Sequence, residues 1–179
     1  MASTSQQTLI EGEQRLVDLE DIVVAPGDKV FDDDIEFAGV GEGKARISAF
    51  GICVSDAAQK VVTVEENSES TERAKESLKI NKIKNVEIHN SDAAEFLQKE
   101  TRKFDITIID PPRKGCTKTS LDEVLRLSKG HIIYVSCNPA TLARDLKYLT
   151  EKGCRVESIQ PFDMFCHSYH IENVAIIKV

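Results

Sequence analysis

The fold of this chain is decided by residues 131–139, which read HIIYVSCNP. A short, β-branched apolar run after Gly130 predicts a buried strand. Pro139 disfavours helical geometry at the residue before it and suits the first turn of a helix, and apolar residues then recur at helical spacing through Leu149. We therefore expect Cys137 where a strand gives way to a helix, at the sheet edge where α/β proteins bind ligands. Position alone does not distinguish a functional cysteine from an ordinary buried thiol.

The rest of the chain repeats this alternation. Strands are predicted at residues 29–31, 60–65, 85–89, 104–110, 131–135, 155–159 and 174–179, and helices at 9–24, 44–58, 68–83, 92–99, 119–129 and 140–149. Such a pattern is typical of a doubly wound α/β sandwich with a mainly parallel, seven-stranded sheet. Only a loop joins the last two strands, which predicts an antiparallel C-terminal strand. We expect an N-terminal extension, partly helical, over residues 1–27 and one domain over 28–179.

Composition excludes several classes of protein. The 179 residues are 41% apolar and 30% charged, as in a globular domain, and no apolar run has the length of a membrane span. The first 14 residues contain no Lys or Arg, unlike a targeting peptide. Five cysteines are scattered without paired spacing, which argues against a disulfide framework, a zinc site or an iron–sulfur cluster and favours the cytoplasm. The net charge of −7 is unusual for a nucleic-acid-binding protein, although local patches matter more than the total.

A glycine-rich segment follows the predicted first strand. Gly39, Gly41 and Gly43 lack side chains, so the backbone can approach a nucleotide closely. A GxGxG pattern alone is also compatible with a flexible turn. It suits NAD as well, but the full GxGxxG fingerprint is missing because residue 44 is lysine. The sequence therefore favours S-adenosylmethionine over NAD.

Two acidic residues at predicted strand ends support a nucleotide site. Glu65 ends the second strand, where a carboxylate can accept hydrogen bonds from ribose hydroxyls. Asp92 follows the third strand and can accept a hydrogen bond from an adenine amine. Taken singly, each is more often a solvated loop carboxylate. Together with the glycines they predict a ligand of the adenosine type.

The segment 110–115, DPPRKG, follows a predicted buried strand. Its two prolines fix an extended turn. That turn is expected to hold Asp110 at the sheet edge, near both the nucleotide and Cys137, where its carboxylate can bind the imide of a base. Arg113 can hold a phosphate or a carboxylate through two hydrogen bonds. The alternative is a rigid turn with no ligand.

The loop before the last strand contains His167, His170 and Glu172. Their spacing matches no helical zinc pattern, so a metal site is not predicted. A general base near Cys137 is the preferred interpretation, and a solvated loop is the alternative.

Three segments resemble, in order, the motifs of one family. Residues 110–115 (DPPRKG), 136–145 (SCNPATLARD) and 164–172 (MFCHSYHIE) are similar to the D-P-P-R-x-G, S-C-N-P-x-T-x-A-R-D and M-F-P-H-T-x-H-x-E motifs of the RNA uridine-5-methyltransferases. These enzymes use S-adenosylmethionine to form 5-methyluridine in tRNA and ribosomal RNA. The resemblance covers about residues 28–179 and implies a Rossmann-like methyltransferase sandwich.

The resemblance also implies roles for single residues. Cys137 is the expected nucleophile toward uracil C6, Glu172 the base that removes the C5 proton, and Asp110 a uracil contact that also borders the cofactor. Nucleophilic attack requires a thiolate, so a lowered pKa is expected at Cys137. Other residues of these motifs are predicted to contact the substrate: Arg113, Asn138 and His167.

The family's RNA-binding module has no counterpart in the sequence, so a partner protein is expected to supply RNA binding.

The sequence leaves two other functions open. The chain could also be a non-catalytic module that keeps the fold without effective capture of cofactor or RNA. A methyltransferase acting on another amine or carbon is a weaker alternative, because amine methylation needs no thiol such as that of Cys137.

Overall fold

The computed structural model describes residues 22–25, 51–52, 54–163 and 171–179, with residues 22–25 described by their backbone alone. Within these ranges the strands are β1 (Ile22–Ala25), β2 (Val61–Glu65), β3 (Val86–Asn90), β4 (Phe104–Ile109), β5 (Ser128–Ser136), β6 (Arg155–Phe162) and β7 (Glu172–Lys178). The α-helices of the same ranges are α1 (Ser68–Ile80), α2 (Ala93–Lys99), α3 (Lys118–Leu127) and α4 (Pro139–Glu151).

The strands form one sheet in the order β3-β2-β1-β4-β5-β7-β6. The β2–β3 and β4–β5 pairs are parallel, whereas β7 is antiparallel to both β5 and β6. β1 lies between β2 and β4 and is antiparallel to both. β2 to β6 therefore point in one direction, and β1 and β7 point in the other. The antiparallel C-terminal strand is confirmed. Five of the seven strands described point the same way, as expected for a mainly parallel sheet, but because β1 is reversed the sheet is mixed and four of its six neighbouring pairs are antiparallel.

Three helices cover one face of the sheet. α2, α3 and α4 contribute Phe96, Leu121 and Leu149 to a core that also contains the fully buried Tyr134 of β5. Because side chains alternate along a strand, a smaller cluster of Val54, Val61 and Ile108 lies on the opposite face. None of the helices in the described ranges has the length and apolar character needed to cross a membrane.

β1 departs from the prediction. A helix was expected over residues 9–24, but Ile22–Ala25 forms a strand, so the prediction is wrong for this stretch. The sequence IVVA is rich in β-branched residues, which favour strands, and it has hydrogen-bonding partners on both sides in β2 and β4. Pro26 follows directly and suits the end of a strand. The first strand expected at residues 29–31 lies outside the described residues.

Other boundaries shift by a few residues. α1 ends at Ile80 rather than at residue 83, because Lys82 adopts a positive φ of 56° that no helix continues through. α3 ends at Leu127, and β5 begins at Ser128 rather than after Gly130. A side chain at Gly130 would collide with the carbonyl oxygen of Asp105 in β4. Because Gly130 has no side chain, the backbones of β4 and β5 can lie close together at this position.

The helix predicted over residues 44–58 is described only from residue 51. Gly51 and Ile52 are helical, and Ser55–Ala57 form a single 3₁₀ turn. The side-chain amide of Asn85 donates to the carbonyl oxygens of Ser55 and Ala58, at 2.6 and 2.8 Å. This turn is thereby attached to the segment that leads into β3.

Candidate active site

Five of the predicted site residues lie along one edge of the sheet. Glu65 ends β2, Asp110 directly follows β4, and Cys137 directly follows β5, so all three lie at the carboxyl ends of strands that point the same way. Asp92 follows β3 at the same edge. Glu172 is the first residue of β7, which is antiparallel to β5 and therefore starts where β5 ends. The topology thus brings Asp110, Cys137 and Glu172 together.

The Cys137 thiol interacts with three charged groups. Burial raises its pKa above the ordinary value, and the negative charges of Glu172 and Asp110 add to this rise. The guanidinium of Arg113 forms a hydrogen bond with the thiol and lowers the pKa, but less than the other effects raise it. The predicted lowering of the Cys137 pKa is therefore wrong for this structure. Sequence position identified the strand end but not how far the thiol is removed from water.

Glu172 responds to the same surroundings. Burial raises the pKa of its carboxyl group, and the positive charge of Arg113 lowers it. Burial therefore favours the neutral forms of both Cys137 and Glu172, whereas Arg113 favours both anions. A carboxylate with a raised pKa is a stronger base than a solvated one, which suits the removal of a proton from carbon.

The residues after Cys137 hold the loop that carries Arg113. The side-chain amide of Asn138 and the hydroxyl of Thr141 both donate to the carbonyl oxygen of Arg113, each at 3.1 Å. The carbonyl oxygen of the Asn138 side chain accepts from the backbone N–H of Ala140 at 3.0 Å and so caps α4. These bonds give Asn138 a structural role. Its predicted contact with substrate stays a prediction.

Two residues of this segment had no role assigned from the sequence, Arg144 and Asp145. Asp145 is buried, although its neighbours on the same helical face are Leu142, Leu146 and Leu149. A carboxylate in an apolar stripe needs polar partners, since an unpaired buried charge is costly. An aspartate within this apolar stripe is the sequence signal that could have identified the pair.

The carboxyl ends of β2 and β3 carry the two acidic residues predicted to contact an adenosine ligand. One carboxylate oxygen of Glu65 accepts from the backbone N–H of Asn67 at 2.7 Å, and one oxygen of Asp92 accepts from that of Glu95 at 2.8 Å, which caps α2. The side-chain amide of Asn90 donates to the carbonyl oxygen of Glu65 at 2.9 Å and joins the two strand ends. The second oxygen of each carboxylate suits the hydroxyl and amino donors of an adenosine ligand, so these residues fit S-adenosylmethionine.

Four predicted site residues lie outside the described residues: Gly39, Gly41, Gly43 and His167. β1 runs antiparallel to β2 and β4: its first residue, Ile22, pairs with Val64 and Ile109 near the site edge, and its last residue, Ala25, lies toward the opposite edge.

Comparison with known proteins agrees with the motifs. The family model described as tRNA (uracil-5-)-methyltransferase matches residues 40–179. An uncharacterized RNA methyltransferase of Thermotoga maritima is 39% identical over 135 residues, which are 75% of this chain and 31% of that protein. One from Caldanaerobacter subterraneus is 39% identical over 158 residues, with coverage of 83% and 35%. The chain thus spans about a third of the length of these curated relatives.

Solved structures of methyltransferases are similar to this chain. The tRNA (uracil-54, C5)-methyltransferase of Pyrococcus abyssi, solved in complex with S-adenosyl-L-homocysteine, matches with a TM-score of 0.64 and 32% identity over 76% of this chain and 34% of that one. The N-methyltransferase NodS of Bradyrhizobium japonicum matches with a TM-score of 0.58 and 12% identity over 73% and 79%, a likeness of fold alone. The Rossmann-like methyltransferase fold expected from the sequence is confirmed. Because the family model matches residues 40–179, which are most of the chain, the chain belongs to the tRNA (uracil-5-)-methyltransferase family.

Proposed function

We propose that this chain transfers a methyl group to C5 of a uridine in tRNA or ribosomal RNA, through a covalent bond between the Cys137 sulfur and C6 of the base. The observation that carries the proposal is the placement of Cys137, Arg113, Glu172 and Asp110 around one strand end, with electrostatic effects of the other three on the thiol. Membership of the family supports the substrate class.

The reaction requires a nucleophile because C5 of uracil is itself too weak a nucleophile to accept a methyl group. Attack of the Cys137 thiolate on C6 forms an S–C bond and moves the electron pair of the C5–C6 double bond onto C5, as in an enolate. Arg113 supports this step because its positive charge favours the thiolate. Asp110 is placed to hold the imide of the base.

S-adenosylmethionine, when bound, supplies an electrophilic methyl group on a sulfonium centre for C5. Of the described residues, Glu65 and Asp92 would hold it, and Asp110 would border it. After methylation, the Glu172 carboxylate removes the remaining proton from C5, and the C–H electron pair restores the C5–C6 double bond. As this double bond forms, the S–C6 bond breaks and its electron pair returns to the sulfur of Cys137.

The test uses RNA that contains 5-fluorouridine, whose C5 carries no proton for Glu172 to remove. In the presence of S-adenosylmethionine the wild-type protein should form an adduct with this RNA that survives a denaturing gel. Cys137→Ala should form none, whereas Cys154→Ala, which removes a buried thiol elsewhere, should form it normally. Glu172→Gln should accumulate an adduct with ordinary RNA. Failure of the wild type to form the adduct, while calorimetry shows bound cofactor and filter binding at low salt shows bound RNA, would refute the proposal.

A partner protein is part of the same proposal. The net charge of −7 opposes binding to RNA phosphates, so the chain alone should bind a tRNA transcript weakly at physiological salt. Filter binding across salt concentrations measures this. Tight binding by the chain alone would show that no partner is needed.

A second candidate is a methyltransferase-fold module without catalysis. It is favoured by the net charge of −7, which opposes the capture of RNA. Calorimetry with S-adenosylmethionine separates the two functions. Micromolar binding supports the enzyme, and no binding at millimolar cofactor supports the module.

A further inference from the structure

Asp145 is a buried carboxylate with three donors. The hydroxyl of Tyr134 donates to its Oδ2 at 2.6 Å, and the backbone N–H of Cys116 donates to the same oxygen at 2.8 Å. Nε of Arg144 donates to Oδ1 at 2.8 Å. The side chain of Asp145 is only 3% exposed, so these bonds compensate a charge that would otherwise be costly to bury. The carboxylate thereby connects β5, α4 and the loop after β4.

Arg144 extends the same contact to the loop backbone. Its Nη2 donates to the carbonyl oxygens of Lys114 and Cys116, at 2.9 and 3.1 Å. Arg144 and Asp145 therefore bind the backbone on both sides of Gly115. Gly115 has a φ of +72°, and a Cβ there would lie 2.6 Å from Asp145 Oδ2 and 2.7 Å from Arg144 Nη2. The turn and the Arg144–Asp145 pair fit together only because residue 115 is glycine.

This turn is part of the loop that carries Arg113. The backbone N–H of Gly115 donates to the carbonyl oxygen of Pro112 at 2.7 Å, so the residues between them form a closed turn. Arg113 lies within this turn, and its guanidinium acts on the Cys137 thiol, whose pKa it lowers. A continuous set of contacts therefore leads from Asp145 and Arg144, through the turn, to the proposed nucleophile.

We propose that Arg144 and Asp145 are positioning residues, which hold the turn at residues 112–116 so that Arg113 stays against the Cys137 thiol. Neither residue touches the thiol itself; both act through Arg113. Their importance for catalysis depends on the proposed function, but the positioning itself can be measured on the thiol without RNA or cofactor.

The charged groups that face the thiol make the effect measurable. Asp110 and Arg113 act on Cys137 from the loop after β4, and Glu172 acts on it from β7. Arg113 is the cation of this set. Displacement of Arg113 therefore leaves two carboxylates and burial, all of which favour the protonated thiol. Loss of the positioning contacts should appear as a slower reaction of Cys137 at neutral pH.

The experiment measures the rate of Cys137 alkylation by iodoacetamide from pH 6 to 10, with mass spectrometry of the Cys137 peptide. Arg113→Ala should slow alkylation at pH 7.5 by about tenfold, since each unit of thiol pKa changes the thiolate fraction about tenfold. Arg144→Ala should slow it by about threefold or more. The double variant Arg113→Ala/Arg144→Ala should match Arg113→Ala alone, because Arg144 acts through Arg113. Lys147→Ala, one turn along α4 and highly exposed, is the matched control for loss of a positive charge and should react like the wild type.

Two outcomes overturn the proposal. One is an Arg144→Ala variant whose pH profile equals that of Lys147→Ala, which would make Arg144 merely structural. The other is a double variant slower than Arg113→Ala by the full Arg144→Ala factor, which would show that the two residues act independently.

If Arg144→Ala does not fold, Arg144→Lys replaces it. It keeps the charge, but a single ammonium group cannot reproduce the forked contacts to Asp145 and two carbonyls, so the same slowing is expected. A wild-type reaction rate in folded Arg144→Lys would likewise overturn the proposal. Formation of the 5-fluorouridine adduct by the wild type would leave the proposed function standing whichever way these rates fall.

Discussion

At Cys137, burial and the carboxylates of Glu172 and Asp110 favour the protonated thiol, whereas Arg113 favours the thiolate. This balance has a consequence for catalysis. The base that is needed late in the proposed reaction, Glu172, opposes formation of the nucleophile that is needed at the start. Entry of a uracil ring, which takes up the charge of the thiolate by bond formation, would relieve this conflict.

Replacement of the base should therefore make the nucleophile more reactive. Glu172→Gln removes a negative charge that raises the Cys137 pKa, so the pKa should fall and the thiolate should form at lower pH. We expect alkylation of Cys137 at pH 8 to be about threefold faster or more, with the midpoint of the pH profile shifted down. Iodoacetamide kinetics with Glu157→Gln as a remote control measure this. Alkylation that is slower than in the wild type would contradict the electrostatic coupling.

At the scale of elements, the core strands and helices could be predicted from sequence because their apolar periodicity is local. β1 could not. The apolar residues up to Val24 also fit a helical spacing, and their pairing with β2 and β4 depends on residues about 40 and 80 positions away, which a local pattern does not reveal. The site, too, could be predicted only where the information is local. Motifs identified Cys137 and Glu172, but burial, which sets their pKa values, is a property of the assembled sheet.

The contact between the loop after β4 and helix α4 gives a second prediction. Gly115→Ala combines a positive φ with a Cβ that would lie 2.6 Å from Asp145 Oδ2. Gly153→Ala is the matched control, because Gly153 has a φ of +100° but no atom within 4 Å of the added Cβ. Gly153→Ala should lower the free energy of unfolding by about 1 kcal/mol and Gly115→Ala by about 3 kcal/mol. Urea unfolding measures both. Equal losses of unfolding free energy would mean that the loop can move away from α4 to make room for the added Cβ at little cost in free energy.

At the scale of the whole molecule, strand order divides the site edge into two halves. β2 and β3 carry Glu65 and Asp92, whereas β4, β5 and β7 carry Asp110, Cys137 and Glu172. β1 lies between the two halves. The charged groups that act on the Cys137 thiol, Glu172, Arg113 and Asp110, all belong to the half formed by β4, β5 and β7, so cofactor capture and thiol activation should be separable properties.

That separation can be tested by Glu65→Gln. Loss of one charge-assisted hydrogen bond costs about 1.5 kcal/mol, so the affinity for S-adenosylmethionine should fall about tenfold. The rate of Cys137 alkylation should not change, because β1 and β4 separate β2 from β5 and Glu65 is not among the charged groups that act on the thiol. Glu66→Gln, at the next and exposed position, should leave both quantities unchanged. Calorimetry and iodoacetamide kinetics on the same samples give the two measurements. A change in alkylation with Glu65→Gln would show that the halves of the edge are coupled, and an unchanged cofactor affinity would remove Glu65 from the binding site.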